Sequence, residues 1–116
     1  MSEKEKKSIY EGMFILNSAL SDDARQKALD RITNGIQERG GEVHKVHDQG
    51  RRKLAYEIGG KKEGYYYLVY FTSPTTAISP LWRDYHLNED LIHFGTFQTN
   101  EVLEKIEFKP IALEKR

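Results

Sequence analysis

The segment Gln49 to Ile58, QGRRKLAYEI, followed by Gly59-Gly60-Lys61-Lys62-Glu63-Gly64 and then Tyr65 to Ser73, constrains the fold more than any other part of the sequence. Leu54, Tyr56 and Ile58 recur at every second position, the period of a strand with one buried face. Tyr65 to Ser73 is rich in the aromatic and β-branched residues that strands favour. Two such runs joined by a short glycine-rich loop pair antiparallel as a hairpin. The first run extends back to Glu42, which is long for one strand. Gln49-Gly50 in its middle predicts a bend or bulge, and Val46 falls out of the alternation begun by Val43, so the register after Gly50 stays open.

The rest of the chain supplies partners for this hairpin. Ile9 to Asn17 is a strand with Tyr10, Gly12, Phe14 and Leu16 on one face and Glu11, Met13, Ile15 and Asn17 on the other. The first set is predicted to face the helices, because that parity keeps Glu11 out of the core. Ser21 is an N-cap, Asp22 and Asp23 oppose the helix dipole, and Gly40 is the stop signal of the helix between them. Ala28, Leu29, Ile32 and Ile36 form its apolar stripe, with Gly35 beside it. Pro74 ends the third strand. A second helix precedes Leu87, with Ser79 as N-cap and Pro80 in the first turn, turning Leu81, Trp82, Tyr85 and Ile78 inward. Leu91 to Gln98 is the last strand, with Ile92, Phe94 and Thr96 alternating against Leu91, His93, Gly95 and Phe97.

The order β-α-β-β-α-β defines an α+β chain of the ferredoxin-like split βαβ type. It implies a four-stranded antiparallel sheet with two helices on one face. Residues 8–98 form this single domain, as the length of 116 residues allows only one core. Residues 1–7 are a solvated arm of alternating Lys and Glu. Residues 99–116 carry Val102, Leu103, Ile106, Phe108, Ile111 and Leu113, too apolar for a plain solvated tail, and are expected to dock on this protein or on a partner.

Eighteen basic side chains balance eighteen acidic ones, so any contact with nucleic acid must be local rather than a consequence of net charge. Arg51, Arg52, Lys53, Lys61 and Lys62, set against Glu57 within residues 51–62, are the candidate RNA-binding residues. There is no cysteine, hence no disulfide or thiolate chemistry. The N-terminus lacks the apolar core of a signal peptide and no apolar run reaches the length of a membrane span, which predicts a soluble cytoplasmic protein. His44 and His47, at odd spacing, are expected on opposite strand faces, and His86 and His93 have no ligand pattern around them, so no metal or other cofactor is expected. Asp22-Asp23 and Glu89-Asp90 sit at helix boundaries, where capping accounts for them. With no nucleophile elbow, P-loop or HExxH, the chain reads as a non-enzyme.

With both helices on one face, the other face of the sheet is expected to be open, exposing Met13, Ile15, Tyr66, Leu68 and Tyr70. That is more apolar surface than a solitary domain shows, and together with Phe108 of the tail it marks a partner-binding surface. An RNA-recognition-type strand is the rival reading. Glu63-Gly64-Tyr65-Tyr66-Tyr67-Leu68-Val69-Tyr70 matches most of the aromatic positions of that motif, but it requires Phe14, Tyr65 and Tyr67 to face outward as stacking platforms for single-stranded RNA.

Tyr10-Glu11 opening a strand that ends Leu16-Asn17, the RRKLAYEI segment, the Gly64-Tyr65 strand start and Leu87 to Phe97 occur in an order and spacing that resembles the bacterial small-subunit ribosomal protein S-six family, over residues 10–98. The resemblance implies a structural constituent of the small ribosomal subunit. It implies binding to small-subunit ribosomal RNA together with ribosomal protein S-eighteen, in assembly and translation, with no small-molecule substrate and no membrane. Arg52 and Lys53 fall where the family shows paired basic residues. The family pattern would start the second helix nearer Thr76. A protein-interaction module without RNA binding is the third reading the residues allow.

Overall fold

The computed structural model describes residues 6–103. Strands β1 (Lys7–Asn17), β2 (Glu42–Ile58), β3 (Lys61–Pro74) and β4 (Leu91–Thr99) and helices α1 (Asp22–Glu38) and α2 (Ile78–His86) follow the expected order. The sheet is antiparallel, in the order β2-β3-β1-β4, with β2 and β4 at its edges. β1 begins at Lys7, two residues before the expected start, pairing with Pro74.

Local signals set the ends of α1. The Ser21 side chain accepts a hydrogen bond from the Ala24 N–H, satisfying one of the orphan donors of the first turn. At the other end Gly40 donates to the Gln37 carbonyl and Gly41 to that of Ile36. This is the double bond of a Schellman ending, made possible by the left-handed φ of 89° at Gly40. α2 starts one residue earlier than Ser79, after a 3₁₀ turn over Thr75–Ala77. Pro80 is thus the third residue of the helix rather than the first. Its missing N–H costs nothing there, because donors in the first turn have no intrahelical acceptor.

The main core lies between the helices and the sheet. Phe14, Leu16, Tyr67, Val69 and Phe71 are buried against Ala28, Leu29, Ile32 and Ile36 of α1 and Leu81 and Tyr85 of α2, as the strand parity predicts. Trp82 departs from its expected place. It is 37% exposed at the rim, its ring 4.9 Å from that of Phe94 and its indole N–H donating to the Thr96 hydroxyl. A register shift between Ile15 and Leu16 places Leu91 opposite Leu16 and His93 opposite Ile15. One residue of β4 bulges out, so Leu91 and Phe94 both serve the main core while Ile92 packs on the opposite face.

The opposite face corrects the expectation of an open apolar surface. Tyr66 is only 3% exposed and Tyr70 1%, Met13 and Ile15 are buried, and Leu68 alone of the five is half-exposed. Met13, Ile15, Tyr66 and Leu54 form a second cluster, flanked by Ile58, Leu68 and Ile92. The physical reason is the length and irregularity of the hairpin. Between the pairs Lys53↔Glu63 and Ile58↔Lys61 its register shifts, and Leu54 and Ile58 are delivered onto the face that no helix covers. Gly64 makes the overlap possible, since a Cβ there would collide with the Ile15 side chain. Tyr70 is closed in differently. Its hydroxyl donates to a Glu11 carboxylate oxygen at 2.9 Å, and its ring meets that of His47 edge-on. Burial, helped by that carboxylate, pushes its pKa up to about 12. Phe108, the sixth residue assigned to the partner surface, lies outside the described residues.

Candidate nucleic-acid interface

The five basic residues occupy the far end of the β2–β3 hairpin. The turn is shorter than the expected Gly59–Gly64 loop. Ile58 pairs directly with Lys61, leaving only Gly59 and Gly60, both at positive φ (57° and 81°), as a two-residue connection. Positive φ at both positions is the conformation whose twist suits a tight hairpin, and two glycines adopt it without steric cost. The strands therefore run to the tip.

Cross-strand partners share a face, so the register distributes the charge. Arg51 lies opposite Tyr65 and Lys53 opposite Glu63, on the helix side, whereas Arg52 lies opposite Gly64, on the side of the second cluster. Arg51, Arg52, Lys53 and Lys62 are exposed and Lys61 is half-buried. The structure thus gathers all five on one arm but spreads them around it instead of stacking them on one face.

The base of the arm is held by a bulge between Asp48 and Gly50. Gly50, at φ 81°, donates its N–H to Asp48 Oδ1, and Arg52 Nε donates to the Gln49 carbonyl at 2.9 Å. Asp48 Oδ2 accepts from the Tyr65 hydroxyl, and Arg51 reaches the Ser18 carbonyl at 3.4 Å. Burial, then the bond to Asp48, holds the Tyr65 pKa above its ordinary value. One contributor was not legible in the sequence. The Arg25 guanidinium sits 3.9 Å over the Tyr65 ring, donates to the Tyr67 hydroxyl at 3.3 Å and pairs with Asp22 at 3.1 Å. The bond to Tyr67 holds its pKa above the usual arginine value. Only the Asp22–Arg25 spacing is visible in the residues themselves, and it signals a helix-surface pair, not a cation–π contact between α1 and β3.

The histidines are engaged singly. His44 shares a 2.7 Å hydrogen bond with Thr72 Oγ1, and His47 shares one of 2.7 Å with the Leu103 carbonyl. Thr72 and Tyr70 stand on the same face of β3, so His44 and His47 do as well, contrary to the strict alternation. The register shift between Val43 and Lys45 reverses the parity. Among the described residues no group of three potential ligands converges on a metal position. A groove of about 330 Å³ between the helices, lined by Arg31, Asn34, Asp84, Tyr85 and Asn88, holds no paired nucleophile and base.

The rival single-strand platform is overturned by the same parity that builds the core. Phe14 and Tyr67 lie beneath the helices, where no base reaches them. Tyr65 is half-buried under Arg25.

Residues 9–98 match the family model for ribosomal protein S6. The chain belongs to the ribosomal protein S6 family. The small ribosomal subunit protein bS6 of Protochlamydia amoebophila is 65% identical over 104 residues, which cover 90% of this chain and 91% of that one. The protein of the same name from Chlamydia muridarum is 57% identical over 100 residues, covering 86% and 89%. The crystal structure of 30S ribosomal protein S6 from Thermotoga maritima has the same fold, with a TM-score of 0.77 at 34% identity over 81% of this chain and 89% of that one. As a member of the S6 family the chain is a non-enzymatic structural protein of the small subunit, located on the ribosome in the cytoplasm. Its partners are accordingly ribosomal RNA and ribosomal proteins.

Proposed function

We propose that the chain binds small-subunit ribosomal RNA as a pair with ribosomal protein S-eighteen during assembly and translation, and that Arg51, Arg52, Lys53, Lys61 and Lys62 supply its phosphate contacts. The observation that carries this reading is the arm itself. A neutral protein concentrates five cations at the far end of one hairpin, and they surround it, as suits a ribbon with phosphates on more than one side. Protein contact then falls to what remains accessible on the face opposite the helices. Leu68 and Ile92 at the margin of the second cluster and the exposed Phe97 of β4 offer apolar area there. Met13, Ile15, Tyr66 and Tyr70 support that surface from below.

The test is the salt dependence of RNA binding by the protein pair. Replacing Arg51, Arg52, Lys61 and Lys62 by Gln is expected to weaken binding and to flatten the slope of log affinity against log salt by about 0.7–0.9 for each phosphate deprived of its cation. An unchanged affinity and slope would place the RNA site off the arm.

A further inference from the structure

Tyr56 is the one large aromatic on the arm that the packing leaves in water. It lies on β2 between Leu54 and Ile58, both of which turn into the second cluster, yet it is 47% exposed. Among the described residues its hydroxyl has no hydrogen bond and its ring no aromatic or cation partner. The other tyrosines of the hairpin are spoken for: Tyr65 by Arg25 and Asp48, Tyr67 by Arg25, Tyr70 by Glu11 and His47. Tyr66 is buried.

It shares the arm with the cations. Within residues 51–63, Arg51, Arg52, Lys53, Lys61 and Lys62 stand against Glu57 and Glu63, and Tyr56 lies where the register shifts between the pairs Lys53↔Glu63 and Ile58↔Lys61, so the ring projects from an arm of net positive charge. Cations that track a phosphate backbone, with an aromatic face between them, are the elements of a site that takes an unpaired base. A buried-core role for Tyr56 would close its exposed half, and a solvated surface position has no need of an aromatic ring on an arm that carries five cations.

We propose that Tyr56 is a stacking platform for one unpaired base of the RNA, with the surrounding Arg and Lys side chains holding the phosphates on either side of it. This rests on the arm being the RNA contact. Double-stranded RNA offers no ring face for such a contact, so the arm binds at a loop, bulge or strand end.

The experiment uses the full chain, paired with its ribosomal protein partner, and in vitro transcribed small-subunit ribosomal RNA at several salt concentrations. Stacking on an aromatic is worth roughly 1–3 kcal/mol per base. Tyr56→Ala is therefore expected to lower affinity about 5- to 150-fold. The salt slope should stay that of the parent, because every phosphate keeps its cation. Tyr56→Phe keeps the ring and should bind within about twofold of the parent. Tyr56→Leu keeps apolar bulk without the π-face and should fail like the alanine variant, which separates stacking from any loss of arm stability. Full affinity in Tyr56→Leu would overturn the proposal, as would a slope that falls with the affinity, or a loss confined to binding of the protein partner without RNA. If Tyr56→Ala binds normally while the four-Gln variant is weakened, stacking is wrong and the arm stands. If the four-Gln variant also binds normally, the arm reading itself has failed.

Discussion

Removing the Phe14 ring tests the layer on which the whole sheet is built. Phe14 is 0% exposed, lies opposite Tyr67 on β3 and Phe94 on β4, and meets the Tyr85 ring edge-on at 5.1 Å. Burial of such a side chain is worth about 1.5–3 kcal/mol by transfer alone. The edge-to-face contact adds about 0.5–1.5 kcal/mol, and a cavity that cannot collapse between two paired strands adds more. Phe14→Ala is thus expected to cost about 3–5 kcal/mol, a large part of the roughly 5–15 kcal/mol typical of a domain. Urea melts followed by circular dichroism should show a lower midpoint at an unchanged slope. A destabilisation below about 1 kcal/mol would refute burial. The adjacent glycine gives an independent check. A Cβ on Gly12 would lie 2.8 Å from Phe14 Cε2 and 3.2 Å from Phe71 Cε1, so Gly12→Ala overpacks and should cost about 1–3 kcal/mol. In the Phe14→Ala background the first obstruction is gone, and the double variant should lose at least ~0.5 kcal/mol less than the sum. Strict additivity would show that the ring does not fill the space over Gly12.

Tyr66→Ser and Tyr70→Ser, innocuous on an open face, should each destabilise the fold by about 3 kcal/mol or more for these buried rings, read as a lower urea midpoint; parent-like melts would restore the open face. Gly64→Ala sets a methyl group against Ile15 and should cost about 1–3 kcal/mol, which Ile15→Ala in the same chain should partly recover; a neutral Gly64→Ala would mean the second cluster is loose. Burial holds the His93 pKa below its ordinary value, so the folded chain binds this proton less readily than the unfolded one. Its contribution to stability is full above the unfolded value of about 6.5 and is lost as pH falls through the folded value. His93→Gln should flatten the decline of melting temperature on acidification below about pH 6.5, and an unaltered decline would assign it to other groups.

Elements that depend on neighbours in sequence were legible. The α1 caps at Ser21 and Gly40, the apolar stripe from Ala28 to Ile36 and the period-2 faces of β1 each follow from a few adjacent residues, and together they fix the split βαβ order. Bulges were not legible to the same degree. Gly50 announced one, but those after Val43, opposite Ile15 and beyond Lys53 carry no glycine at the shift, and each moves later side chains to another face. That is why His44 joined His47, why Leu91 and Phe94 share a side, and why Leu54 closes over Ile15. The basic run was plain in the sequence. Its distribution around the arm was not, because that depends on which residue of β3 faces which residue of β2.

The second cluster and the charged arm are built from the same strands, which ties fold and recognition together. Leu54 packs against Met13, Ile15 and Tyr66 only two positions after Arg52 and one after Lys53. The apolar contact therefore fixes the path of the backbone from which the cations project. An isolated two-stranded ribbon is marginally stable in water. Anchored through Leu54 and Ile58 on one face and through Arg25, Tyr65 and Asp48 on the other, this ribbon has support on both of its faces. On the proposed reading, an arm ordered before it meets RNA lowers the entropy that binding must overcome. The burial that closes the face expected to be open is, on this argument, what holds the basic residues of the arm in place.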